Sequence, residues 1–147
     1  MKRILIATDG SDHAQKATEL GAELAAKMDA ELHILAVARY EPTEENELRK
    51  FARIEHLEGG LLNVTREIAQ GHAERARLLA EQKGAKTVKT SVTTGDPAEE
   101  ILAFIKDNAI DTVILGRRGR SRIAGLLLGS VSQKLASLAP CIVVICP

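Results

Sequence analysis

Aromatic side chains are nearly absent from this chain, making up 2% of its 147 residues. Proteins that bind single-stranded nucleic acid stack the bases on aromatic rings, and this sequence offers few such rings. Charge of one sign is also lacking, because 20 Lys and Arg residues balance 20 Asp and Glu residues. Without an overall field that attracts nucleic acid or an anionic membrane, we expect neither of them as a partner.

Cysteine is scarce as well, since the chain contains only Cys141 and Cys146. Their odd spacing places them on opposite faces of an extended strand, and the step between them is too long for a disulfide bond. No spacing of cysteine and histidine resembles a zinc site. We expect reduced thiols and a cytoplasmic location. The apolar run from Ile4 to Ala7 is too short for a signal peptide, and no segment reaches membrane-spanning length.

Aliphatic residues are abundant, and 45% of the chain is hydrophobic. A chain of this length buries a sizeable core, so we expect one domain over residues 1–147. The paired glycines Gly59 and Gly60 interrupt a helical pattern. They predict an exposed helical or loop insertion from about Pro42 to Glu58, followed by a crossover helix. The apolar residues available for the buried stripe of that helix include Leu61, Leu62, Ile68, Ala76 and Leu79.

Short apolar and β-branched runs alternate with helical patterns along the chain. Strands are predicted at residues 3–8, 31–38, 88–94, 111–116 and 141–146. This alternation predicts an α/β fold in which right-handed crossovers join parallel strands. The expected architecture is a single doubly wound domain, with a five-stranded parallel sheet of order 3-2-1-4-5 and helices on both faces. The third strand alternates between apolar and polar residues, which is typical of a sheet edge.

Three helix starts are marked by capping residues. Ser11 follows the first strand and is predicted to cap the first helix. Asp96 and Pro97 have the pattern of an N-cap and the first helical residue. Ser130 and Gln133 have the pattern of a capping box for the last helix. The predicted apolar face of the first helix consists of Ala14, Ala17, Gly21, Leu24 and Met28.

Ligands of doubly wound sheets bind at the carboxyl ends of the strands, where the strand order reverses. One loop at this point reads Gly116-Arg117-Arg118-Gly119, followed after nine residues by Gly129-Ser130. Glycines allow left-handed backbone angles and the close approach of a ligand. The first amides of a helix lack internal partners and favour an anion, and the hydroxyls of Ser130 and Ser132 add further donors. The loop therefore predicts a phosphate site.

The spacing Gly-x2-Gly-x9-Gly-Ser resembles the ATP-binding motif of the universal stress protein family, and every fixed position is matched. The resemblance extends over the whole chain, from Thr8-Asp9-Gly10-Ser11 to the last apolar strand. It implies the adenine nucleotide α-hydrolase-like form of the fold. It also implies ATP as the ligand, with Mg²⁺ carried by the nucleotide.

The resemblance implies roles for individual residues. Asp9 would lie near the ribose and the metal-phosphate region, and would reach the metal only indirectly through Mg-ATP. Ala7 and Val37 would frame the adenine, although many relatives carry Pro where Ala7 stands, so that this wall is less rigid here. The candidate nucleotide-binding residues are Ala7, Thr8, Asp9, Val37, Gly116, Arg117, Arg118, Gly119, Gly129, Ser130, Val131 and Ser132.

Arg117 and Arg118 have two interpretations. Their guanidinium groups suit the oxygens of a triphosphate, but both residues also suit a solvated surface.

Three other classes of protein do not fit the sequence. A Walker A ATPase needs a phosphate-binding lysine, and no Gly-Lys dipeptide supplies it. A dinucleotide-binding domain needs Gly-x-Gly-x-x-Gly after the first strand, and this pattern is absent there. The third strand ends in Thr93-Thr94-Gly95, without the aspartate that a receiver domain needs.

We expect a nucleotide-dependent stress-response or regulatory module with little or no intrinsic hydrolysis. The alternative is a slow ATPase, or a nucleotide-using enzyme that a partner protein activates. No catalytic residue is predicted, because the four histidines are scattered and no paired nucleophile and acid is evident. The apolar strand at 141–146 is predicted to lie at a sheet edge and to pair with a second copy of the chain.

Overall fold

The computed structural model describes residues 1–39, 60–119 and 128–147, which form one parallel sheet with helices on both faces. The sheet order β3-β2-β1-β4-β5 is the predicted one. The predicted insertion from Pro42 to Glu58 lies outside the described residues. The strands are β1 (Arg3–Thr8), β2 (Glu31–Arg39), β3 (Val88–Gly95), β4 (Thr112–Gly116) and β5 (Ile142–Cys146).

Four helices connect the strands in the part of the chain that the structure describes. They are α1 (Asp12–Met28), α2 (Gly60–Gln82), α3 (Pro97–Asp107) and α4 (Ser130–Leu138). Helices α1 and α2 cover one face of the sheet, and α3 and α4 cover the other. Among the described residues, no helix combines the length and the apolar character needed to cross a membrane.

The central strand β1 is buried on both faces, as expected for a strand inside a doubly wound sheet. Ile4 and Ile6 pack with the helices α1 and α2, while Leu5 between them packs with α3 and α4. All three side chains are fully buried. Strands β3 and β5 occupy the two edges, which confirms the edge position that the alternating pattern of the third strand predicted.

Helix α2 presents alanines to the sheet, and not the larger residues that the sequence offered. Its buried residues Ala69, Ala73, Ala76 and Ala80 recur every three or four positions. Of the predicted stripe, Ala76 is buried, but Leu62 and Ile68 are exposed and Leu79 is half-buried. The side chain of Leu61 lies outside the described part. The prediction was wrong for Leu62 and Ile68 because small side chains let a helix approach the sheet closely, which larger ones would prevent.

The predicted caps of α1 and α3 are confirmed. Ser11 Oγ accepts a hydrogen bond from Ala14 N at 3.2 Å. Asp96 accepts from Glu99 N at 3.0 Å, and Pro97 is the first residue of α3. On α1, the predicted apolar face is correct for Ala14, Ala17 and Gly21 but wrong for Met28, which is 48% exposed at the end of the helix.

The capping box predicted for the last helix is wrong by one position. Gly129 is the N-cap of α4, and it contributes no side chain. Its extended backbone, with φ −69° and ψ 164°, is typical of the N-cap residue that precedes a helix. Ser130 therefore becomes the first helical residue, and Gln133 donates its side-chain amide to Leu128 O at 3.0 Å. Consequently no hydroxyl caps the first amides of α4.

Both cysteines are free and face opposite sides of the sheet, as their spacing predicted. Cys141 packs with the α3 and α4 side, whereas Cys146 belongs to the core beneath α1 and α2. Burial raises the pKa of both thiols above its ordinary value. Raised pKa values make these groups poor nucleophiles, because the thiolate is the reactive form.

Two glycines inside helices provide a matched test of the packing. Gly71 in α2 has no atom within 4 Å of the position that a Cβ would occupy. Gly71→Ala should therefore raise the free energy of unfolding by about 0.5–1 kcal/mol, because Ala is the better helix former. At Gly21 in α1, the added Cβ would lie 2.8 Å from Ile6 Cδ1. Gly21→Ala should lower the stability by about 1 kcal/mol through overpacking.

Urea unfolding followed by circular dichroism measures both effects, with the two variants prepared in the same buffer. Equal effects of the two substitutions would contradict the packing described for α1 against β1.

Candidate functional site

A cavity of about 260 Å³ opens at the carboxyl ends of β1, β2 and β4. It lies where the strand order reverses, which is the position expected for a ligand of this architecture. All the candidate nucleotide-binding residues from the sequence line it, except Arg117. The structure thus brings together the turn after β1 (residues 9–11), the end of β2 and the glycine-rich loop. Whether these residues bind a nucleotide stays a prediction.

One end of the cavity is an apolar slot between the sheet and α3. Ala7, Val37 and Leu115 come from three neighbouring strands, and Ile101 comes from α3. These strands are in parallel register, with Ala7 paired to Leu35 of β2 and to Leu115 of β4. A slot of this kind suits the flat apolar faces of a ring system.

The other end of the cavity is formed by the glycine-rich loop and the start of α4. Ser130 and Val131 are the first two residues of this helix, and both line the cavity. Helix geometry leaves their amide groups without intrahelical acceptors. Because the N-cap Gly129 has no side chain, these donors are accessible to a ligand. The helix dipole adds to the preference for an anion at this end.

Ser132 connects α4 to the end of β4. Its side chain is buried, and its hydroxyl donates to Gly116 O at 2.9 Å and to Arg117 O at 3.2 Å. The sequence suggested a donor for phosphate, whereas in the structure the hydroxyl hydrogen is directed at these two carbonyl groups. Ser132 therefore holds the loop against the helix, and the helix amides supply the donors that face the cavity.

The three glycines of the motif differ in the atoms that surround them. Among the described residues, the glycines with a positive φ are Gly10, Gly84 and Gly95, so none of the motif glycines uses a left-handed conformation. The left-handed conformation expected for these glycines was therefore a wrong prediction. At Gly116, an added Cβ would lie 2.7 Å from the backbone carbon of His13. Gly116 is thus required because the start of α1 packs directly on the end of β4.

Gly119 faces the carboxylate of Asp9. An ideal Cβ at Gly119 would lie 2.5 Å from Asp9 Oδ2. The other oxygen, Oδ1, accepts a hydrogen bond from Ser11 N at 3.0 Å. A larger residue at position 119 would therefore displace this carboxylate. At Gly129 a Cβ would make only ordinary contacts, the nearest being 3.4 Å from Arg118 Cα, so protein packing does not demand glycine there.

The charged residues that line the cavity are distributed unevenly. Asp9 provides the only carboxylate in the lining that the structure describes, while Arg39 and Arg118 are cations on β2 and on the glycine-rich loop. Arg117 does not line the cavity, and its amide donates to Cys146 O at 2.6 Å. Of the two arginine positions left open by the sequence, only Arg118 lines the cavity.

Sequence reasoning missed the contribution of α2 to the site. Thr65, Ile68, Ala69 and His72 line the cavity on the side of the sheet that α2 covers. No motif marks these residues, and the alanine stripe that positions them was not predicted. Within the described residues, no group of three His, Cys, Asp or Glu side chains is arranged to hold a metal ion.

A family of known proteins resembles this chain over its whole length. The model of the universal stress protein family matches residues 1–147. The chain belongs to the universal stress protein family. It is 33% identical over 144 residues to universal stress protein YxiE of Bacillus subtilis, and the match covers 97% of each chain.

Solved structures of the same family share this fold. The universal stress protein UspA from Lactobacillus plantarum superimposes with a TM-score of 0.81 at 24% identity, over 99% of this chain and 97% of the other. A universal stress protein solved in complex with cAMP gives a TM-score of 0.70 at 25% identity, over 98% of this chain and 94% of the other. Both are likenesses of fold, and the second carries a nucleotide.

Proposed function

We propose that this universal stress protein binds ATP and acts as a nucleotide-dependent regulatory module. The observation that supports the proposal is a single cavity that joins an apolar slot to the uncapped start of α4. The slot suits adenine, and the amides of Ser130 and Val131 suit phosphate oxygens. The relative in complex with cAMP binds an adenine nucleotide on the same fold, which favours this class of ligand.

Asp9 fits an indirect role toward Mg²⁺. Its Oδ2 lies beside Gly119 at the polar end of the cavity, while Oδ1 is held by Ser11 N. Since the described residues include no ready group of three ligands, the phosphates would supply most of the oxygen ligands that Mg²⁺ prefers. Asp9 would then bind the ribose or a water molecule of the metal. We also propose a cytoplasmic location, consistent with free thiols.

The variant Gly119→Val tests ATP binding. Its branched side chain must displace the carboxylate of Asp9 and narrow the polar end of the cavity. We expect ATP affinity to fall by at least about 30-fold, which corresponds to an overpacking cost of about 2 kcal/mol. Isothermal titration calorimetry with Mg-ATP measures the affinity, and circular dichroism verifies the fold.

Gly71→Ala is the matched control, because it also adds a side chain to a glycine but lies outside the cavity. Unchanged affinity in a folded Gly119→Val protein would refute the proposed site. Mass spectrometry of small molecules released on denaturing freshly purified protein gives an independent reading. Release of an adenine nucleotide supports the proposal, and failure of the wild type to bind ATP contradicts it.

The site supplies binding groups but few groups for catalysis. Amide donors that contact phosphates equally in the ground state and the transition state do not accelerate hydrolysis. Acceleration requires a residue that orients water in line with the γ-phosphate and charge directed at the transition state. Asp9 is already held by Ser11 N, and the hydroxyl of Ser132 is directed at backbone carbonyls. Arg118 is the remaining cation at the phosphate end, and a partner protein that directed it at the γ-phosphate would give the alternative, an activated slow ATPase.

We expect phosphate release from Mg-ATP to be far slower than the typical enzyme rate of about 10 per second. A coupled phosphate assay on highly purified protein measures this rate, with Gly119→Val as the control for contaminating ATPases. A rate of several per second that disappears in the control would make this protein an enzyme.

We further propose a homodimer that forms through the strand at 141–146. Strand β5 lies at the sheet edge, and its first residue, Ile142, is 58% exposed. Leu138 at the end of α4 is 63% exposed. An apolar edge of this kind pairs readily with a second edge, and a two-fold axis would place two copies of β5 antiparallel.

Ile142→Lys should convert the dimer into a monomer, because a charge on an edge strand opposes pairing. Light scattering coupled to size-exclusion chromatography measures the mass. Leu78→Lys is the control, since Leu78 is 47% exposed on α2. A monomeric wild type at high micromolar concentration would contradict the proposed dimer, as would a dimer that Ile142→Lys leaves intact.

A further inference from the structure

A second cavity, of about 290 Å³, lies beside the first one between α1 and α2. Thr8 and His72 line both cavities, so the two cavities adjoin each other. His72 is buried and packs on Gly10, where an added Cβ would lie 2.5 Å from His72 Nε2. Gly10 has a φ of +77°, so both its conformation and this contact favour glycine. The other residues that line the second cavity are Ser11, Gln15, Thr18, Arg75, Ala76 and Leu79.

The described lining of this second cavity contains several hydrogen-bond donors and no carboxylate. Ser11 Oγ accepts from Ala14 N, and Thr8 Oγ1 accepts from Gly10 N at 3.3 Å. Each hydroxyl therefore retains its hydrogen for a further acceptor. Gln15 on α1 contributes an amide that can also donate. These donors come from the end of β1, from the N-cap of α1 and from α1 itself.

Arg75 contributes a permanent positive charge from α2. Glu74, its neighbour in sequence, is paired with Arg77 at 2.5 Å. A cavity with a guanidinium group, several donors and no carboxylate favours an anion. Because the donors approach from two different helices, they suit a tetrahedral oxyanion, whose oxygens point in several directions, better than a planar carboxylate.

We propose that this second cavity binds the phosphate group of a ligand that is separate from the nucleotide. This proposal does not require the nucleotide site to be occupied, since Ser11, Gln15 and Arg75 line the second cavity and not the first. The phosphate would accept hydrogen bonds from the Ser11 and Thr8 hydroxyls and from Gln15, and would pair with Arg75. The ligand class is a small phosphorylated metabolite or inorganic phosphate itself.

Inorganic phosphate is the probe, titrated at constant ionic strength into ¹⁵N-labelled protein that is saturated with Mg-ATP. Saturation fills the phosphate end of the first cavity. We expect saturable shifts of the backbone amide signals of Ser11, Gln15 and Arg75. Arg75→Gln should weaken phosphate binding by about threefold to tenfold, the range expected for a charge-assisted contact of an exposed arginine. Arg75→Lys should retain most of the affinity, because the charge remains.

Arg66→Gln is the matched control, because it removes one positive charge from the exposed surface of α2 outside both cavities. Equal weakening in Arg66→Gln and Arg75→Gln would overturn the proposal, as would an absence of saturable shifts in the wild type. A second contrary outcome is that ATP alone moves the Arg75 signal as far as phosphate does, with no further effect of phosphate. That result would assign the cavity to the nucleotide and overturn the proposal of a separate ligand.

Failure of the ATP-binding proposal would be seen in different amide signals from failure of the phosphate proposal. If ATP does not bind, the signals of Ala7 and Val37 stay unchanged when it is added. The phosphate titration followed at Arg75 can still be read in that case, because Arg75 does not line the first cavity.

Discussion

The close packing of α1 on the end of β4 determines where the two loops of the site meet. Gly116 provides no side chain, so the backbone of His13 and Ala14 lies directly over it. This contact brings the turn after β1 to the glycine-rich loop, and with it the carboxylate of Asp9. Ser132 completes the arrangement from the other side by holding the same loop against α4. A larger residue at position 116 would separate the two halves of the cavity before any ligand was present.

Much of the fold could be predicted from the sequence, because its signals are local. The apolar run around Ile4 and Ile6 is typical of a strand buried on both faces, and Ser11 and Asp96 cap helices through bonds to amides three residues away. The start of α4 was harder to place, since Gly129 and Ser130 both suit an N-cap. There the extended backbone of Gly129 decided the boundary, and a backbone angle is not visible in a sequence.

The candidate site was also predictable where its signals are local, and unpredictable where they are not. The fixed positions of the glycine-rich motif line the cavity, but the reasons for the glycines at 116 and 119 are contacts with α1 and Asp9. Such contacts join residues about a hundred positions apart, so no local pattern reports them. The wall formed by α2 could not be predicted for a related reason. Its residues Ile68 and His72 reach the cavity only because the alanine stripe places the helix close to the sheet.

That alanine stripe has a consequence for how the protein tolerates sequence change. Ala73 and Ala80 line neither cavity, yet they set the distance between α2 and the sheet. Any larger side chain at these positions would lift the helix and widen both cavities, because a close-packed interior does not absorb the added volume. Selection on ligand binding would therefore act on the volume of residues that never contact a ligand. Fewer residue types would be tolerated at these two positions than at several positions that line the cavities.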